Sequence, residues 1–356
     1  MPPFASFGVD RFPYNLSMLN EKNDPMNQAG LMISIDQMIP NPAKLNSKKD
    51  FINSLSAIQQ ANAGWTKNVL RSSARLLYYQ RYVAEKKLKI TGENVELLDL
   101  FIRTAEEKYK YNQSDLSAIY KAQAKMQELK NMQSMSLSEI SESNIGLNIL
   151  MNRDIHISFS IDTAITLHDY ETPVNATDSS ALKRSDIASV ENTIQSMKLN
   201  QNYMGTAGKP DFGVRVNHMQ MFGMPDQFSV MGMMTIPIVP WSSKMYKSEV
   251  KSMGFEIEAM QKETETMKLM AMRMIQEKIS MMNFEKEQLK NFENNIIPAF
   301  RKNLETSLLA YKQNTGSFFV LLDAWDMLLM KQMEYLEKLK NVLTLESEYE
   351  FEIEKR

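Results

Sequence analysis

The side chains with the most distinctive chemistry in this chain are its methionines. Of 356 residues, 29 are Met and none is Cys, so the thioether is the only sulfur ligand available. Met253, Met260, Met267, Met274 and Met281 follow one another at intervals of seven, with Met270 on the same stretch. That interval keeps side chains near one face of a helix. A thioether row can contact soft monovalent cations such as Cu(I) or Ag(I), and it can equally serve as adaptable packing between helices. Ile257, Thr264 and Ala271 extend the same face, which reads as a seam, and packing is the commoner use of such a row. Further methionines (Met219, Met221, Met224, Met231, Met233 and Met234) cluster in the middle of the chain and keep the metal reading open. Other chemistry is sparse. No nucleophile–base set, phosphate loop or metalloprotease motif occurs, and the three His, at 156, 168 and 218, are scattered. The expectation is a protein that is not an enzyme and needs no cofactor.

Composition narrows the class. A formal net charge of −2 argues against nucleic acid as a partner. Without Cys, neither disulfides nor a Cys-linked lipid anchor is available. No apolar run reaches the roughly 18 residues of a transmembrane helix. Strands are then the remaining way to cross a bilayer, because backbone groups must be satisfied within the protein. Met1-Pro2-Pro3-Phe4 lacks the charged and apolar regions of a secretory signal.

The elements repeat. Tyr109-Lys110-Tyr111-Asn112 returns as Tyr311-Lys312-Gln313-Asn314, an offset of 202 residues (109 to 311). Around each anchor come two alternating segments, a long helical stretch, an Asn-centred break and another helix. Ala5, Phe7 and Val9 alternate with Ser6, Gly8 and Asp10, and Leu31, Ile33, Ile35 and Ile39 alternate with Met32, Ser34, Asp36 and Met38. The second copy has Phe212, Val214 and Val216 against Gly213, Arg215 and Asn217, then an apolar run from Phe228 to Val239. Period two predicts strands, with a long loop over 13–30. Pro40-Asn41-Pro42, Pro237 and Pro240-Trp241 punctuate the strand ends, and Trp241 stands where an interfacial aromatic would sit. Helices are expected over 45–110 and 243–312, with Pro298 as the only kink. At 1.5 Å per residue the first would run roughly 100 Å, so it must bundle lengthwise with partners. Helices over 114–150 and 185–203, joined by an irregular 152–180, would bring the chain back to the next strand pair.

The chain resembles the TolC-like outer-membrane factors, the exit ducts of bacterial efflux and secretion systems. Tyr311 to Ala324 looks like that family's tip motif, Tyr-x-x-Gly-x-x-Ser followed by an apolar run into Leu-Asp-Ala. Asn314 stands for the usual Gly, as Asn112 does in the first copy. Asn is the next residue best able to adopt a left-handed turn. Arg184-Ser185-Asp186-Ile187 with Glu191 resembles the opening of the family's second repeat, with Ser for Pro, and Gly146-Leu147-Asn148-Ile149-Leu150 the close of its first.

The resemblance implies a mainly α protein with transmembrane β-structure. It would be a homotrimer, each copy giving four strands to a twelve-stranded barrel above an α-helical periplasmic barrel. The chain then divides into strands one and two (1–44), a first helical hairpin (45–150), an equatorial connector (151–183), an ascending helix (184–205), strands three and four (206–242) and a second hairpin (243–356). It also implies an opening helix before the first strand, so a signal peptide and that helix are expected upstream of Met1. Its partners would be outer-membrane lipid, a periplasmic adaptor (membrane fusion protein) and an inner-membrane pump. The tip residues are Asn112, Asp115, Lys121, Asn314, Gly316, Ser317, Asp323 and Asp326. In a trimer Asp323 and Asp326 become rings of three carboxylates at the periplasmic entrance, able to select ions. Lys121 stands 202 residues before Asp323, so a Lys–Asp contact between hairpin tips is expected to hold the entrance shut. The cargo stays open between soft metal ions, drugs and secreted polypeptides. A cytosolic coiled-coil scaffold is the alternative from another class.

Overall fold

The computed structural model describes residues 2–355 apart from 15, 17, 18, 20–27, 171–182 and 238. Most of the expected 13–30 loop, Pro173 and the Trp241 side chain lie outside the described residues. The order is β1 (Phe4–Asp10), β2 (Gly30–Ile39), α1 (Pro42–Tyr109), α2 (Leu116–Leu150), α3 (Ser185–Gly205), β3 (Phe212–Met221), β4 (Gln227–Met234), α4 (Pro240–Asn291), α5 (Ile297–Lys312) and α6 (Phe318–Glu352). Among the described residues, no helix is long and apolar enough to cross a membrane. Two compact units result. One comprises 1–62 and 188–266, the other 63–187 and 267–356.

The first unit is built on a four-stranded antiparallel sheet in the order β1-β2-β3-β4. Its register follows the alternation in the sequence, with rows such as Ala5–Ile35–Val216–Val230 on one face and Ser6–Ser34–Asn217–Ser229 on the other. The first face is exposed and apolar, with Ile33, Ile35, Ile39, Val214, Val216 and Val230 all open. Arg215 and Asp36 form an ion pair on the second. The apolar run expected to continue to Val239 stops as a strand at Met234. The Thr235 amide turns to the Asp211 carbonyl at 2.9 Å, and Pro237 has no N–H to extend a ladder. Asn41 caps α1, its Oδ1 accepting from the Ala43 amide at 3.0 Å, and Pro42 opens the helix where a missing N–H costs nothing.

The second unit is helical. Its largest cluster joins α1 (Leu98, Phe101, Ile102, Ala105) to α2 (Ala118, Ile119, Ala122, Leu129), α5 (Leu304, Tyr311) and α6 (Phe318 to Leu329). Where a kink at Pro298 was expected, the chain makes a full π turn over Phe292–Ile296. The Ile297 amide reaches back five residues to the Phe292 carbonyl. Proline lacks the donor for its own turn and crowds the carbonyl four residues before it. Opening the ladder by one residue just ahead of Pro298 relieves that crowding.

Candidate functional site

The residues expected at the tips fall at two helix–turn–helix connections. After Tyr109 the chain turns through Asn112 at φ 57°, and after Lys312 through Asn314 at φ 58°. Each helix closes with the same bond, from the amide after the asparagine to a carbonyl five residues back. These are Gln113 to Lys108 at 3.0 Å and Thr315 to Ala310 at 2.9 Å. Positive φ costs a side-chained residue about 1 kcal/mol or more, and Asn is among the residues that adopt it most readily. Three residues later each returning helix is capped. Asp115 accepts from the Ser117 amide at 2.9 Å, and Ser317 accepts from the Val320 amide at 3.3 Å. Beside the second turn, a Cβ on Gly316 would lie 3.0 Å from that of Ala310.

A lysine that sequence reasoning did not single out ties the two turns together. Lys108 Nζ donates to the Tyr311 carbonyl and to Asn314 Oδ1, both at 2.6 Å. It also lies 4.2 Å from the centre of the Tyr311 ring. Its counterpart in the second copy is Ala310, so the repeat gave no signal for it. Tyr311 is 2% exposed whereas Tyr109 is 43% exposed, and burial pushes the Tyr311 phenol up. Behind the turn, Trp325 is 0% exposed and donates from Nε1 to Asn94 Oδ1 at 2.9 Å.

The charged residues arrange themselves differently from expectation. Within the chain Lys121 does not meet Asp323; its Nζ lies 4.2 Å from the Phe319 ring centre. Asp323 is exposed, and no side-chain partner for it occurs among the described residues. The pair that forms is Lys125–Asp326 at 3.2 Å, four and three residues further along. Glu128 and Asp326 together raise the Lys125 pKa. Lys125 and Asp326 border a cavity of about 390 Å³ between α2 and α6, floored by Leu129, Met132, Leu329, Met330 and Met333. The two returning helices thus share one apolar groove with a charged margin.

This arrangement can be set beside known proteins. No protein-family model matches the chain, and no curated protein matches its sequence. Solved structures do match. CusC, whose crystal structures concern folding and transmembrane channel formation, superposes with TM-score 0.80 at 12% identity, over 99% of this chain and 83% of that one. The Campylobacter jejuni CmeC outer-membrane channel gives 0.78 at 14% identity, over 99% and 77%. The open state of the Neisseria gonorrhoeae MtrE outer-membrane channel gives 0.74 at 14%, over 99% and 80%. The fold is that of a TolC-like outer-membrane factor.

Two motifs that suggested an outer-membrane factor turn out to be anchors. Arg184 pairs with Asp186 at 2.8 Å and with Glu352, and the Ser185 amide and hydroxyl donate to Glu354 at 2.6 and 2.7 Å. Asn148, fully buried, donates to the Ile155 and Ile157 carbonyls at 3.0 and 2.8 Å and accepts from Arg153 at 2.7 Å. Nearby, Tyr170 donates to Glu350 at 2.6 Å, and His168 Nδ1 lies 2.6 Å from Glu346 Oε1. Burial and the Glu350 bond push the Tyr170 phenol far up. Burial pushes Glu350 up too, but bonds from Lys355 and Tyr170 and the charge of Arg75 outweigh it, so its carboxyl sits below the usual range. None of these contacts was legible beforehand, apart from the motifs themselves.

The heptad methionines of this outer-membrane-factor fold do not stay on one seam. Met253, Met260 and Met267 are half-buried, while Met270, Met274 and Met281 are exposed and Met282 is buried instead. A straight helix falls behind a seven-residue repeat by about 20° each time, or about 80° over four intervals. The row therefore turns out of the packed face as it proceeds.

Proposed function

We propose that three copies of this chain form the outer-membrane exit duct of a tripartite efflux system, a passive channel supplied by an inner-membrane pump through a periplasmic adaptor. The observation that carries the reading is the sheet. One face is exposed and mostly apolar, interrupted by Gln37, His218 and Gln220, and the other carries Asp36–Arg215 and the Ser6–Ser34–Asn217–Ser229 row. Both edges, β1 and β4, lack a neighbour in the four-stranded sheet. Open edges of this kind invite pairing with another chain, and a closed barrel with lipid outside and water inside satisfies the edges and both faces at once. Pairing β1 of one copy with β4 of the next gives twelve strands from three four-stranded sheets. The likeness to outer-membrane channels over nearly the whole chain supports the same reading.

The tips are the docking end. The turns at Asn112–Asp115 and Asn314–Phe318 and the groove beside Lys125 and Asp326 offer the adaptor exposed aromatics, apolar floor and charge. Asp323, without a side-chain partner among the described residues, would form a ring of three carboxylates in the trimer, with Lys121 of a neighbouring copy as its counter-charge. The methionine content supports soft metal cations as cargo.

Fractionation and planar-bilayer recording test the duct together. The expected result is a heat-resistant trimer in the outer membrane that conducts ions after reconstitution. Asp323→Lys should raise single-channel conductance by opening the charged ring. A soluble, non-conducting dimer would overturn the reading in favour of a coiled-coil scaffold.

A further inference from the structure

The four strands carry seven methionines (Met32, Met38, Met219, Met221, Met231, Met233 and Met234). The register places six of them on the face that holds Asp36 and Arg215, and only Met234 on the aliphatic face. An aqueous wall of a barrel is ordinarily polar, so thioethers concentrated on this face are unexpected. They are also grouped. Met38 and Met233 flank Gly213 from either side in the register. A Cβ on Gly213 would lie 2.5 Å from Met38 Sδ and 3.3 Å from Met233 Cε. Met221 is the partner of Gly30, and Met219 precedes it by one step on the same face. A Cβ on Gly30 would lie 2.7 Å from the Gln220 carbonyl oxygen, 3.2 Å from Met219 Cγ and 3.3 Å from Met221 Sδ. Each glycine thus has a pair of methionine side chains packed against it, at Gly30 beside the Gln220 carbonyl.

From this geometry we infer that Met38/Met233 and Met219/Met221 are two thioether stations for a soft monovalent cation, Cu(I) or Ag(I), on the water-facing side of the barrel. Thioethers are neutral and soft. They select d¹⁰ monovalent ions over Zn(II), Mg(II) or anions. Being uncharged, they bind weakly enough to release, which is what sequential sites along a conduction path require. The Ser6–Ser34–Asn217–Ser229 row lies between the two stations in the register and supplies hydration to an ion in transit. The inference rests on the duct reading and names a cargo class for it. It places the metal chemistry on the sheet, not on the heptad row of α4.

The test uses the full assembled protein with silver as probe. Metal content is measured by mass spectrometry after equilibrium dialysis, and silver–sulfur scattering by X-ray absorption. Three proteins are compared. They are the wild type, a strand variant (Met38→Leu, Met233→Leu, Met219→Leu, Met221→Leu) and a helix control (Met253→Leu, Met267→Leu, Met274→Leu). Met to Leu conserves volume and is well tolerated, and the two strand pairs can be replaced separately if the fourfold variant fails to assemble. The strand variant should hold about two fewer silver ions per chain than the wild type. The helix control should match the wild type, and zinc should bind to none of them. Equal silver in the strand variant and the wild type, or equal loss in the helix control, overturns the inference. Conductance of the same preparations separates the two readings. A conducting wild type that ignores silver sinks the stations alone, while a wild type that never conducts sinks the duct.

Discussion

The two tips are the same turn with different contents. Both use a left-handed asparagine, the same five-residue back-bond and a cap three residues on. In the second tip, however, Tyr311 is buried, Trp325 fills the core and Asn314 receives Lys108. In the first, Tyr109, Tyr111 and Tyr120 are exposed, and Gln123 stands in the place of Trp325. A duplicated backbone has thus been divided into a packed half and an open half. The back-bonds and caps set the turn; the side chains decide which tip is packed and which is exposed.

Paired substitutions at equivalent positions would break or sharpen that division. The largest contrast is Trp325→Ala against Gln123→Ala. The first leaves a cavity in a fully buried site and should cost about 3–5 kcal/mol. The second lies on an exposed face and should stay within about 0.5 kcal/mol. Thermal unfolding of both variants checks this, and equal losses would mean the two tips are packed alike. Next are Asn314→Ala and Asn112→Ala. Each loses the residue suited to positive φ, at about 1 kcal/mol, but Asn314 also loses its Lys108 contact, so its variant should lose about twice as much. Replacing either with Gly should recover the conformational part, since glycine adopts that region freely. Lys108→Ala should cost about 1 kcal/mol, seen as faster amide exchange across 311–317 with 110–115 little changed.

The smallest effect lies away from the tips. Glu350 has a carboxyl pKa lowered in the folded state, so its contribution to stability is fully present above the unfolded value of roughly 4.3 and fades as pH falls through the folded value. Glu350→Gln should therefore lower the melting temperature at neutral pH, and the gap to the wild type should close in acid. Its neighbour Glu352 has the opposite sign, because burial raises its pKa against the pull of Arg184. Its titration favours the folded state as pH falls, so Glu352→Gln should not show a gap that closes in acid.

Much of this architecture could be read from the residues, and the reasons are local. Period two reports which strand residues share a face, and Asn112 and Asn314 mark turns because few residues tolerate positive φ. The parts that escaped are those fixed by a third element. Lys108 reaches across to another turn, and Trp325 needs Asn94 on a helix 231 residues away in sequence. Lys121 lies over the Phe319 ring, a contact made across two helices that no local pattern marks. The methionine row looked like a straight seam because seven residues nearly, but not quite, complete two turns.

That small mismatch gives the π turn before Pro298 a role beyond relief of crowding. Along α4 the buried residues run Ala271, Ile275 and Ile279 against Ile187 and Tyr349. Along α5 they run Leu304 and Tyr311 into the tip core. Ile275, Met282 and Leu289 are buried at steps of seven, as are Leu304 and Tyr311, but fifteen residues separate Leu289 from Leu304. In a regular helix the odd residue would swing everything downstream by about 100°. The π turn absorbs it, so one nearly continuous rod keeps its buried face in phase as far as the tip. Removing one residue from Phe292–Ile296 should leave a regular helix whose Tyr311 still faces the core.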